Sequence, residues 1–309
     1  METSQLLSEI QEEIGSDELL KTATRSQKPV SYNFIDLPLT RLHYVKFGEG
    51  PPLIMVPATI SEINNWLALV QFFGQRYTCY FFELPGHGQS SPFKQPFHTG
   101  LVAQTVKDLI DALGIETISL MGFSFGGVLA MKTLYHMQER ISQVILVSPA
   151  VTHRAIEFSR VQMLGMRGLV HLLRLPWVCN FFVRVVKSRL FGTLAAKAIR
   201  LAASVEPSIP LEQRLRQISH ATFEVLTNQL RETLYLEQPR PGMKFSQPCY
   251  FAHSIYDPLL NFNTTVEVMQ EQFSNIKMEK LYFPYHQPEV LPTLNELNRD
   301  YANFLAMLD

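Results

Sequence analysis

In Gly122-Phe123-Ser124-Phe125-Gly126 a serine stands midway between two glycines. The run follows an apolar, strand-like stretch at 115–121 and opens an amphipathic helical pattern over 124–137. A serine at a sharp strand-to-helix turn is held in a strained backbone conformation, and glycines on either side relieve the crowding. Its hydroxyl then projects beyond the end of the sheet. The N–H of Phe125 falls at the helix N-terminus, where an orphan donor and the helix dipole can hold an oxyanion. The chemistry this suits is attack of the hydroxyl on a carbonyl carbon through an acyl-enzyme. A glycine-rich turn without chemistry is the plain alternative.

Such a serine needs a sheet behind it, and the surrounding pattern supplies one. Strand-like runs fall near 30–37 and 42–47, and a turn at Gly48-Glu49-Gly50-Pro51-Pro52 leads into the apolar run Leu53–Val56. Helical patterns over 63–73, 101–113 and 124–137 alternate with strand patterns over 77–82, 115–121 and 143–147. The alternation predicts an α/β fold, a mostly parallel central sheet with helices on both faces. Residues 151–240 break the rhythm and read as helical. It resumes with a strand at 249–253, a helix near 263–273, a strand at 278–283 and a last helix near 293–308. The expected organisation is an amphipathic N-terminal extension at 1–28, with a helical pattern over 3–14. A core follows, made of 29–150 and 241–309, with a helical cap inserted at 151–240.

With these elements in place the chain resembles the α/β-hydrolase superfamily from about residue 30 onward. The likeness rests on the G-x-S-x-G turn and on Pro85-Gly86-His87-Gly88-Gln89-Ser90, similar to the family's P-G-x-G-x-S loop. It implies a triad in the order serine, acid, histidine. Asp257 follows the strand 249–253 in an acid-loop-like Ser254-Ile255-Tyr256-Asp257-Pro258. The family's other acid position holds only Ser148-Pro149-Ala150. His286 alone among the histidines lies beyond Asp257, just past the last strand. The resemblance therefore implies Ser124 as nucleophile, His286 as base and Asp257 as the group that fixes the imidazole tautomer. His253 precedes Asp257 and reads as a packed neighbour, and His87 as part of a structural turn. A serine here argues against the superfamily's epoxide hydrolases and dehalogenases, which use aspartate.

The family's second oxyanion donor lies in the loop after Leu53–Val56. The usual His-Gly is replaced by Pro57-Ala58, so the aligned donor is the backbone N–H of Thr59, beside that of Phe125. Phe123, Ala58 and Tyr285 are the expected substrate-pocket residues; Tyr285 stands where the family usually has glycine. Phe123 and Phe125 suit either an apolar acyl pocket or packing under the turn. The expected reaction is cofactor-free and metal-free hydrolysis of an ester, thioester or lactone with a hydrophobic acyl part. Carbon–carbon bond hydrolysis, acyl transfer and a slow-turnover ligand receptor are the alternatives.

The insert carries its own signal. Between Phe158 and Val205 there are eight Lys/Arg and no Asp or Glu, amid Leu172, Leu173, Trp177, Phe181 and Phe182. Three readings fit: a plain lid with solvated charges, a face for an anionic membrane, or a seat for an anionic acyl carrier. The 309 residues carry a net charge of −1, which excludes a general nucleic-acid binder. Cys79, Cys179 and Cys249 are far apart and form neither a disulfide framework nor a metal motif. No signal-peptide pattern or long apolar span is seen, so the expected location is cytoplasmic. Oligomeric state has no sequence signal.

Overall fold

The computed structural model describes residues 30–59, 61–188, 218–237, 244–288 and 290–308. The chain divides into two units, Met1–Ser31 and Tyr32–Asp309, and all but residues 30 and 31 of those described belong to the second. The helical pattern expected over 3–14 lies outside the described residues, as do 189–217 and 238–243 of the insert and its border.

Eight strands form one sheet: β1 (Ser31–Asp36), β2 (Arg41–Phe47), β3 (Pro52–Val56), β4 (Thr78–Phe82), β5 (Ile118–Phe123), β6 (Ile141–Val147), β7 (Cys249–Ser254) and β8 (Ile276–Leu281). Their order is β1-β2-β4-β3-β5-β6-β7-β8. β2 runs antiparallel to β4, and from β4 to β8 every pairing is parallel. The central strands are apolar runs because both of their faces are covered: Leu53–Val56, Ile118–Met121 and Val144–Val147 are all buried. The edge strand β8 reads Ile-Lys-Met-Glu-Lys-Leu, charged and half-exposed, as suits an edge. β3 has β4 on one side and β5 on the other, so the chain reverses its direction of travel there, and the crevice at such a switch point is where sites form.

The described helices are α1 (Leu67–Phe73), α2 (Thr99–Ala112), α3 (Phe125–Met137), α4 (Arg160–Leu173), α5 (Pro176–Val186), α6 (His220–Leu234), α7 (Phe262–Gln272), α8 (Leu294–Asp300) and α9 (Ala302–Met307). Three of these helices and one strand differ from the sequence-based expectation. The helix expected over 63–73 opens as a 3-10 turn, Ile63–Asn65, because the Ile63 N–H is held by the buried Glu83 carboxylate at 3.1 Å. α3 is not amphipathic but buried nearly all round, since α2 and α6 cover what the sheet does not. β8 stops at Leu281, and the Phe283 carbonyl accepts instead from the Ser254 hydroxyl at 2.6 Å. The last helix breaks at Tyr301, whose ring is wedged between Phe72 and Phe283, with centroids 6.4 and 5.6 Å away.

Within 151–240 the described residues form α4, α5 and α6, with no strand among them. α4 starts with a Ser159–Gln162 capping box and α5 with Pro176, both good helix starts. Arg167 donates twice to the Leu234 carbonyl, at 3.1 and 2.8 Å, joining α4 to the C-terminus of α6. α6 in turn is fastened to the core. The Thr222 hydroxyl donates to the Gly86 carbonyl at 2.8 Å, and Glu232 accepts the Thr99 N–H at 3.1 Å. Gly86 sits at φ +92°, and a Cβ there would meet Val225 of α6 at 3.0 Å, so the Pro85–Ser90 loop is a seat for this helix.

Candidate active site

Ser124 follows β5 directly and caps α3 at φ 53° and ψ −118°, a strained conformation for a residue with a side chain. Both flanking glycines are required by contact. A Cβ on Gly122 would strike the Gly126 carbonyl oxygen, and one on Gly126 would lie 2.6 Å from the Val56 carbonyl oxygen. The turn therefore packs against the C-terminal end of β3, and the loop after β3 runs beside it.

The Ser124 hydroxyl lies 2.7 Å from Nε2 of His286, and Nδ1 of His286 lies 2.7 Å from Oδ2 of Asp257. A carboxylate can only accept, so Nδ1 donates to Asp257 and leaves Nε2 of the neutral ring to accept from the Ser124 hydroxyl. Oδ1 of Asp257 accepts the N–H groups of Leu259 and Leu260 at 2.8 and 3.0 Å. Burial opposes ionisation of this carboxyl. The His286 hydrogen bond and charge, with the Leu260 and Leu259 N–H groups, outweigh it, and the pKa lies below its ordinary value. Asp257 and His286 are both buried.

His253 lies on the other side of Asp257, its Nδ1 3.9 Å from Oδ2 and its ring fully buried. Phe262 stacks on it with planes 5° apart. Burial above all pushes its pKa down to about 4, against the opposing pull of Asp257, so near neutrality the ring carries no charge and Asp257 is left to His286.

Phe125 is the first residue of α3, so its N–H has no carbonyl one turn earlier within the helix. Thr59 is exposed two residues beyond Pro57, and Ala58 is buried. Their loop is clamped by contacts that the sequence did not disclose. Ser61 accepts the Leu84 N–H at 2.9 Å and shares a 2.9 Å hydrogen bond with Nδ1 of His87. Buried Glu83 accepts from the Ile63 and Gln89 N–H groups and lies 3.0 Å from Nδ1 of His43. The side chains of this cluster come from β2 and from the loops after β3 and β4. The only local sign was a carboxylate directly after the apolar run of β4.

Phe123 and Tyr285 both line an apolar cavity of about 230 Å³ between α1 and the α8–α9 segment, with Trp66, Leu69, Leu297 and Phe304. Ala58 is not part of its wall. The Phe123 ring stacks on the His286 ring with centroids 5.8 Å apart, so the cavity begins one ring away from the base. A larger groove of about 660 Å³ lies between α3, α6 and α7, and no triad residue lines it.

A strained serine at the switch point of an eight-stranded sheet, within reach of a histidine and a buried aspartate, defines a class of hydrolase-like fold. The chain belongs to the alpha/beta hydrolase fold family, whose model matches residues 51–284. It is 32% identical over 120 residues to a dihydrolipoyllysine-residue acetyltransferase component of the acetoin cleaving system of Cupriavidus necator, covering 38% of this chain and 32% of that one. It is 32% identical over 140 residues to a 2-hydroxy-6-oxo-6-phenylhexa-2,4-dienoate hydrolase of Comamonas testosteroni, covering 44% of this chain and 49% of that one. The chain thus spans less than half the length of either curated relative. Among solved structures it resembles an epoxide hydrolase, with a TM-score of 0.65 and 14% identity over 89% of this chain and 99% of the other, a likeness of fold. No helix among the described residues is long and apolar enough to cross a membrane, and no cluster of metal-ligating side chains occurs among them.

Proposed function

We propose that the protein is a serine hydrolase acting on an ester, thioester or lactone with a hydrophobic acyl part. The observation that carries this reading is the chain of two 2.7 Å contacts from Ser124 through His286 to Asp257. Nε2 of His286 takes the Ser124 proton as Oγ bonds to the carbonyl carbon, and the carbonyl oxygen becomes an oxyanion beside the N–H groups of Phe125 and Thr59. Asp257 steadies the imidazolium. Collapse breaks the bond to the leaving group, which takes the proton from Nε2. Water then attacks the acyl-enzyme, with His286 again as base, and releases the acid and free Ser124. The acyl chain runs toward the cavity behind Phe123 and Tyr285, and α4, α5 and α6 act as the cap that restricts entry.

A fluorophosphonate probe tests the reading. Covalent labelling at Ser124, with multiple turnovers on a panel of acyl esters and thioesters, is the expected result. An unlabelled serine, or a single turnover, would replace the enzyme with a binding protein of the same fold. A second reading, hydrolysis of a carbon–carbon bond, draws on the name of the Comamonas relative; 2-hydroxy-6-oxo-6-phenylhexa-2,4-dienoate turned over faster than every ester would favour it.

A further inference from the structure

The strongest feature that the proposed reaction leaves unused is the outward face of α4 and α5. On α4, Val161 (81% exposed), Leu164 (73%) and Leu172 share one stripe at helical spacing, opposite the buried Val170. Gly165 and Gly168 fall in the same stripe, and a Cβ built on either meets nothing within 4 Å, so the face is open. On α5, Trp177 (70%) and Phe181 (65%) project one turn apart, opposite the buried Val183. Arg184 continues their stripe, and Arg160, Arg174 and Lys187 are exposed at the ends of the two helices. No carboxylate occurs anywhere from Phe158 to Ser188.

The geometry points to α4 and α5 as a docking surface for an anionic phospholipid bilayer, with the helices lying in the plane of the interface. A solvated helix of a water-bathed lid keeps polar residues outward, whereas these two helices carry large apolar side chains on both their inner and outer faces. Tryptophan and phenylalanine beside arginine and lysine, without acids, match the headgroup boundary of an anionic leaflet in polarity and in charge sign. The apolar residues occupy the centre of the exposed stripes, so charge alone is not the recognition signal. This favours lipid over an acidic protein.

The chain has two tryptophans, Trp66 and Trp177, so emission can report on the contact. The full-length protein is mixed with phosphatidylcholine vesicles with and without phosphatidylglycerol, and both sedimentation and emission are followed. Binding to the anionic vesicles with a blue shift that Trp177→Phe abolishes is the expected result. Phe181→Ala should weaken binding even at raised salt. Arg184→Glu with Lys187→Glu should weaken it by on the order of tenfold or more at low salt, since each cation near such a surface contributes several-fold. Labelling of Ser124 by the fluorophosphonate should be unchanged in all three, which separates this proposal from that of the reaction. Absence of anionic-vesicle binding at low salt overturns it. So does a blue shift that grows with protein concentration without lipid, because the face would then join two copies of the chain. Binding that raised salt removes entirely and Phe181→Ala leaves intact also overturns it, in favour of a purely electrostatic partner.

Discussion

The rings of Phe123 and His286 stack with their planes 24° apart, and the Phe123 ring is also part of the cavity wall between α1 and α8–α9. The residue before the nucleophile is thus in contact with the base on one hand and with empty apolar space on the other. An acyl chain that fills this space should gain about 0.8 kcal/mol per methylene, or roughly fourfold in kcat/KM per carbon until the space is full. Ala68→Leu, on the wall of the cavity, should shorten the optimal chain with little change for the shortest esters. An unaltered chain-length profile in that variant would mean that the chain runs elsewhere.

Asp257→Asn should lower kcat by on the order of 10⁴-fold, because an amide favours the wrong tautomer of His286. Ser124→Ala should remove labelling altogether. Asn can still accept the Leu259 and Leu260 N–H groups at Oδ1, so the fold should persist. Urea unfolding of the variant checks that the loss is chemical. Near-normal turnover would assign another carboxylate to His286.

His87 and His253 are buried, and burial pushes each down to about 4. Between their ordinary value near 6.5 and 4, the unfolded chain binds protons that the folded chain refuses, so stability falls as pH falls through this window. Each contributes a loss of about 3 kcal/mol when the window is crossed. Asp257, held below its ordinary value, adds acid sensitivity only at still lower pH. Urea midpoints measured from about pH 7 down to about pH 4.5 should decline steadily, and less steeply in His253→Leu. A flat wild-type profile would contradict two neutral buried rings.

Glu83→Ala should destabilise the fold by about 3–5 kcal/mol, since it strands two backbone N–H groups and the ring of His43 in a buried site. The same change should lower kcat more than it raises KM, because the loop that carries Thr59 loses its clamp. Unchanged kcat and KM in a folded variant would mean that the loop is held by Ser61 alone.

The sheet was legible because parallel strands buried on both faces write themselves as short apolar runs. Leu53–Val56 and Val144–Val147 needed only their neighbours in sequence. Ser124, Asp257 and His286 were legible as an ordered set through the family resemblance that the local motifs carry, and the structure places them side by side. Three features were not legible, for physical reasons. The Glu83 cluster joins residues 20 and 40 positions apart through side chains that look ordinary in sequence. The break at Tyr301 interrupts an unbroken apolar period, because ring packing against Phe72 and Phe283 overrides local preference. The covering of α3 by α6 comes from a segment far along the chain, so the pattern suggested a wider exposed face than the strip at Lys132 and His136 that remains.

Helix α2 begins at Thr99 without a side-chain cap from its own N-cap residue, His98, and the carboxylate that receives the Thr99 N–H is Glu232 of α6. The insert thus supplies what the core lacks at that helix terminus, while the core supplies the carbonyl of Gly86 to the insert. Neither is a module that can be lifted out intact. Grafting a foreign insert onto this sheet would leave α2 frayed unless the graft brought its own acid to that place. In a melt, the α4–α6 layer and the sheet should be lost in one cooperative step rather than two.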